Sequence, residues 1–303
     1  MTRPQVSEPC DVAQLRLRAL DGYELGASLF TARAALPAQR VVVLHGGAGI
    51  PAARYRHFAR YLAGAGIPVL TYDYRGMGRS RPDALPGFRA SFEDWAEYDV
   101  GGAIAWLRQT FPGAEITGIA HSIGSLLVGG ARNAGEQARL VMIGAHTGYC
   151  GDYLRRYRLP MTAVWHGLMP ALTVLLGYFP ARRLGLGEDL PERIALQWAG
   201  RRSPELRPAG TAPGDQRLQT LLERCAALQR PALLISVSDD AFATAAGTRR
   251  LLSYYPGLFP LHHVQLAPSD AGVRRIGHFG YFGRKAGAAL WPRLLAHLSA
   301  PGA

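Results

Sequence analysis

The feature that most constrains this chain is a rhythm of short apolar runs separated by helix-length amphipathic stretches, broken once and then resumed. Val41-Val42-Val43-Leu44, Pro68 to Tyr72, Ile116 to Ala120, Leu140 to Ile143, Ala232 to Val237 and His262 to Leu266 read as strands. Helices are predicted over Ala52 to Ala63, Ser91 to Arg108 with Ser91 as N-cap, Ile123 to Ala131, Leu218 to Leu228, Ala241 to Tyr254 and Ala286 to Leu298. A strand that is apolar at successive positions has no face for water, so these strands belong in a parallel sheet covered on both sides. Ahead of them, Gln14 to Phe30 alternates apolar and polar residues about Asp21-Gly22, the signal of an antiparallel hairpin.

The rhythm lapses between His146 and about Gln216, where Trp165, Tyr178 and Trp198 lie among prolines and glycines. At 303 residues and 48% hydrophobic content, the chain fits one large α/β domain carrying an insertion. The expected division is a core over 1–146 and 217–303, with a helical cap over 147–216. The cap should sit over the carboxyl ends of the strands, where open α/β sheets bind ligands. Within it, Leu159 to Pro180 carries no charge and approaches the length of a membrane span. Pro160, Pro170 and Pro180 are expected to divide that run into two short segments, so no transmembrane span is predicted.

Lys+Arg 34 against Asp+Glu 22 gives a net charge of +12, which raises the question of nucleic acid. The basic residues are scattered, with Lys285 the single lysine and arginines singly or in pairs, and aromatic interleaving is missing, so no nucleic-acid partner is expected. Cys10, Cys150 and Cys225 are odd in number and widely spaced, and Met1 to Asp11 has no apolar core of a leader; both point to a reducing, cytoplasmic setting. Adjacent His262 and His263 face opposite sides of a strand and cannot chelate one ion, so no metal is expected.

Three short segments at strand ends carry chemistry. In Gly118-Ile119-Ala120-His121-Ser122-Ile123-Gly124 a strand turns sharply into a helix through a serine flanked by small residues, with the Ile123 amide placed where an oxyanion would form. The plainer reading is a serine capping a helix. Ser238-Asp239-Asp240 follows the Ala232 to Val237 strand, and Ile276-Gly277-His278-Phe279-Gly280 precedes the last helix; alone they read as a helix cap and a structural histidine. Together they give the order Ser, Asp, His on strand-end loops of one sheet. A second enzyme class competes. Gly47, Gly49 and Ala52 fit a dinucleotide fingerprint with Asp73 as ribose acid, and Tyr281 with Lys285 forms a Tyr-x-x-x-Lys, the pattern of an NAD(P)-dependent dehydrogenase. The preceding hairpin and the late position of Tyr281 weigh against it. A non-catalytic, hydrolase-like binding protein is the third class.

From Val41 onward the chain resembles the serine α/β-hydrolases, close to predicted hydrolases grouped with serine aminopeptidases and monoacylglycerol lipases. The resemblance rests on His45-Gly46-Gly47, on Asp73-Tyr74-Arg75-Gly76-Met77-Gly78-Arg79-Ser80, and on the three segments above, with Ala120 where such proteins usually carry glycine. It implies an α/β-hydrolase fold, Ser122 as nucleophile, His278 as general base and acid, and Asp240 as the acid that orients it, with Asp239 as the rival. It implies oxyanion donors at Gly47 and Ile123, with Ala48 as the alternative to Gly47. No cofactor is implied. The expected partner is a small apolar ester, and the assembly is open between monomer and homodimer. His121 is expected in the core, and Tyr74 and Arg75 are expected to shape their loop.

Overall fold

The computed structural model describes residues 10–33, 38–206 and 213–299, without the side chains of 213–215. The reading of the first nine residues and the return of the insertion through 207–212 lie outside the described residues. In chain order the strands are β1 (Cys10–Arg18), β2 (Glu24–Ala32), β3 (Arg40–His45), β4 (Val69–Tyr72), β5 (Glu115–His121), β6 (Gln137–Ile143), β7 (Tyr178–Phe179), β8 (Leu190–Pro191), β9 (Ala232–Val237) and β10 (Leu261–Leu266). Eight of them form one sheet in the order β1-β2-β4-β3-β5-β6-β9-β10, while β7 and β8 pair separately. β1 and β2 are the antiparallel hairpin, β2 runs antiparallel to β4, and the strands from β4 to β10 in the sheet are parallel.

The apolar runs are continuous because both faces are covered. Along β3, Val41 and Val43 join one core with Trp95, Val100 and Ile104 of the helical stretch Phe92–Thr110. Val42 and Leu44 join the other, with Phe58 and Leu62 from helix Arg56–Gly64 and Leu290 and Leu294 from helix Arg284–Ser299. Each such aliphatic side chain contributes about 1.5–3 kcal/mol by leaving water. With apolar groups filling both faces, polar chemistry collects at the carboxyl edge.

Two expectations are corrected. The helix predicted from Ala241 begins at Ala245, capped by Thr244, because the Phe242 and Ala243 amides are spent on the Asp240 carboxylate instead of a helical turn. The prolines of the insertion do not divide it: Arg155–Leu176 is one continuous helix with a π-helical turn at Val164–Leu168. Pro170 lacks the N–H that would serve the His166 carbonyl, and Arg202 donates to that carbonyl at 3.2 Å instead. The helix ends at Gly177 in a left-handed cap, before Pro180. By length and composition it is also apolar enough to cross a membrane. Its Tyr157, Met161, Trp165 and Met169, four residues apart, share the face that lines a cavity above the sheet. The wider π turn takes up the drift that this spacing would accumulate on a 3.6-residue helix.

Arg75 ties the hairpin to the sheet. Its Nε and backbone N–H donate to the two Asp99 oxygens at 2.7 and 2.9 Å, and its outer nitrogens to Asp21 in the hairpin turn at 2.6 and 2.8 Å. Tyr74 stacks on Trp95 at 4.7 Å beside it, so both residues shape their loop. Arg75→Ala leaves the wholly buried Asp99 without its counter-charge, and the expected cost is about 3–5 kcal/mol in urea unfolding. A loss below about 1 kcal/mol, the worth of a surface ion pair, would contradict this account of the loop.

Candidate active site

Strand β5 ends at His121, and the next residue makes the turn. Ser122 has φ 58, the one positive value outside glycine among the described residues. Its amide donates to the Ile143 carbonyl of β6 at 3.0 Å, and the Ser125 and Leu126 amides bond back to Ser122 and Ile123. The helix that starts at Gly124 passes so close to β3 that a Cβ there would lie 2.5 Å from the His45 and Gly46 carbonyl oxygens. That crowding makes 124 a glycine position. Ala120, wholly buried, fits where a glycine is usual.

The turn brings three distant segments together. Ser122 Oγ lies 2.9 Å from His278 Nε2, and His278 Nδ1 lies 2.8 Å from Asp240 Oδ2. All three side chains are buried. Burial works against a charge on Asp240, but the His278 imidazole and the Phe242 and Ala243 amides outweigh it and hold the carboxyl down to about 2. The charged carboxylate leaves the His278 proton on Nδ1 and a lone pair on Nε2 for the serine hydroxyl. Asp239 does other work: its oxygens accept the Ile276 and Gly277 amides at 3.1 and 2.8 Å and anchor the loop that carries His278.

A second chain of hydrogen bonds ties these loops from beneath. His121 Nε2 donates to the His278 carbonyl at 3.0 Å, so its Nδ1 accepts from the Tyr55 hydroxyl at 2.9 Å, and that hydroxyl in turn accepts the Gly47 amide at 3.0 Å. Burial, reinforced by the neighbouring His278, depresses the His121 pKa well below the ordinary histidine value. The core placement of His121 therefore holds, with a tethering part as well. The reading of Gly47 as an oxyanion donor is corrected, because its N–H is occupied by Tyr55. The amides of Ala48 and Ile123 have no partner among the described residues, and Ala48 lines the cavity.

The dehydrogenase reading loses its residues. Asp73 accepts the Ala52 and Arg79 amides at 2.7 and 2.9 Å and so serves its own loop. Tyr281 is wholly buried, away from the cavity, and Lys285 is exposed. His263 bonds Ser236 at 2.8 Å while His262 lies near His297.

One residue at the centre escaped the sequence reading. His146, just beyond β6, places Nε2 2.9 Å from Ser122 Oγ. Its signal was position: it is the first polar side chain after an apolar strand, at the carboxyl edge where open α/β sheets bind ligands.

With this geometry in place, comparison with known proteins is decisive on family. A model of the family described as serine aminopeptidase, S33 matches residues 36–257. The chain belongs to that family. It is also 28% identical over 260 residues to a monoacylglycerol lipase of Mycolicibacterium smegmatis, a match covering 76% of this chain and 83% of that protein. Among solved structures, an esterase of Pyrococcus furiosus superposes with TM-score 0.58 at 14% identity, covering 95% and 89% of the two chains. A monoacylglycerol lipase of Paleococcus ferrophilus gives TM-score 0.54 at 16% identity, covering 90% and 99%. These likenesses establish the α/β-hydrolase fold.

The Asp240 ionisation makes a prediction about acid stability. A carboxyl held near 2 in the fold, against an ordinary 3.8, adds stability that is complete above about pH 4 and disappears as pH falls toward 2. Asp240→Asn should remove that part of the acid slope in unfolding measured from pH 5 to 2, and an unchanged slope would contradict the ionised pairing.

Proposed function

We propose that the protein is a serine hydrolase that cleaves a carboxylic ester bearing an apolar acyl or alkyl group, by way of an acyl-enzyme. The observation that carries this reading is a cavity of about 650 Å³ directly over Ser122 and His278, roofed by the Tyr157, Met161, Trp165 and Met169 stripe of the insertion helix. Phe179, Leu190 and Phe242 continue its apolar wall. Glu188, the one carboxylate among the described lining residues, is paired to Arg182 at 2.5 Å, which leaves no unpaired carboxylate there to hold a substrate ammonium. An ester therefore fits better than the amino-terminal peptide suggested by the family's description, in keeping with the lipase and esterase names of the relatives.

In this reading Ser122 Oγ attacks the ester carbonyl as its proton passes to His278 Nε2, which then delivers it to the leaving alcohol. Asp240 fixes the imidazole and balances its charge. The Ala48 and Ile123 amides receive the oxyanion, and each such donor is worth about 2.7–4 kcal/mol in the transition state. Water repeats the sequence to release the acid. The insertion helix is a lid in this scheme, because its inward stripe closes the cavity, while Leu172 packs on the core and Leu168 and Leu175 are exposed.

Kinetics on p-nitrophenyl esters from acetate to dodecanoate test the proposal. Activity should rise with chain length, with each buried methylene worth up to about 0.8 kcal/mol, then level off as the cavity fills. Ser122→Ala should lose at least about 10³-fold throughout with the fold intact. Met161→Glu, which places a charge in the stripe, should flatten the rise while acetate is still cleaved. A flat wild-type series would contradict the apolar substrate, and an active Ser122→Ala would contradict the mechanism.

A further inference from the structure

The serine oxygen has two imidazole partners at the same distance, and hydrogen-bond accounting gives them opposite parts. His278 Nε2 and His146 Nε2 each lie 2.9 Å from Ser122 Oγ. His278 Nδ1 faces the Asp240 carboxylate and carries the proton, so Nε2 accepts the serine hydroxyl. His146 Nδ1 accepts the Gly148 amide at 2.9 Å, so the proton of that ring stands on Nε2 and is donated to Oγ. The Gly148 amide can turn back on the ring because residue 148 adopts φ 86, and a Cβ there would meet the Trp198 ring at 3.2 Å. Arg201, buried over Phe92 and Trp198, donates to the Thr147 carbonyl and fixes the same loop. The rings of Tyr153, Trp198 and His278 enclose His146, and burial together with His278 holds its pKa down to about 3. The ring is therefore a donor by construction and a poor base.

We propose that His146 is a second catalytic histidine, whose Nε2–H positions Ser122 Oγ and stabilises the negative charge on that oxygen while its bond to the substrate carbonyl forms and breaks. The proposal rests on the reading of Ser122 as nucleophile. In acylation the Oγ–carbon bond forms, the hydroxyl proton goes to His278 and the alcohol leaves with it. In deacylation the water oxygen bonds to the acyl carbon as water gives a proton to His278, then the carbon–Oγ bond breaks, Oγ recovers that proton and the carboxylic acid leaves. The His146 proton stays on nitrogen throughout, so its contribution is electrostatic.

The rate of labelling by a fluorophosphonate isolates the first bond, since Oγ attacks phosphorus, fluoride leaves and the hydroxyl proton passes to His278. His146→Ala should slow labelling at Ser122, and kcat/KM for ester, by about tenfold to a hundredfold, the worth of one hydrogen bond to a charged group. His146→Phe fills the cage without a donor and should be as slow, which keeps the test decisive if the alanine variant fails to fold. His146→Gln, whose amide nitrogen reaches to about the place of Nε2, should recover most of the loss. Melting temperatures establish that each variant compared is folded. Wild-type labelling rates in folded His146→Phe, or a His146→Gln as slow as His146→Phe, would overturn the proposal. A wild type that is active yet unlabelled at Ser122 would instead overturn the hydrolase reading beneath it.

Discussion

The left-handed backbone of Ser122 is the constraint around which the site is organised. A side-chain-bearing residue there costs about 1–3 kcal/mol and persists only where the surroundings over-determine it. The surroundings do so from each side. The Ile143 carbonyl holds its amide, Gly124 lets the following helix press against β3, and the His121 ring beneath it is bonded to Tyr55 and to the His278 loop. One buried imidazole thus joins the loop after β3, the turn after β5 and the loop before the last helix. The hydroxyl stands at the cavity with its partners already in place, so the proposed attack would need little rearrangement.

The sheet was legible in the sequence because its physics is local and repetitive. Runs such as Val41 to Leu44 and Ala232 to Val237 can only be strands covered on both faces, and Asp21-Gly22 announces the hairpin between them and the chain's start. The order of Ser122, Asp240 and His278 was readable too, through resemblance and strand-end position. Contributions set by three-dimensional hydrogen bonding were harder to read. Gly47 looked like an oxyanion donor until Tyr55 took its amide, and Asp239 and Asp240 were separated only by which one faces the imidazole. His146 belongs to no motif, and its tautomer depends on an amide two residues along.

The insertion shows the same limit from another direction. Proline was a sound reason to expect a break, yet the Arg155–Leu176 helix runs through Pro160 and Pro170, and at the second of these Arg202 serves the carbonyl that the proline leaves unpaired. Long-range compensation of this kind has no sequence signature. Its consequence is functional, since an unbroken helix gives one face to the cavity while Leu159, Val174 and Leu175 face outward, more than 70% exposed. In the proposed reaction the cavity face and the strained turn depend on each other: the turn would supply the attacking oxygen, and the helix would decide what reaches it.

The central claim is that Ser122 Oγ becomes covalently acylated during turnover. Acid quenching of the enzyme within the first turnovers of a p-nitrophenyl ester, followed by peptide mass mapping, tests it most directly. The account predicts the acyl mass on the peptide that contains Ser122 and on no other, and its disappearance in Ser122→Ala. Turnover with the acyl group on a different residue, or rapid hydrolysis that persists in Ser122→Ala, would contradict it.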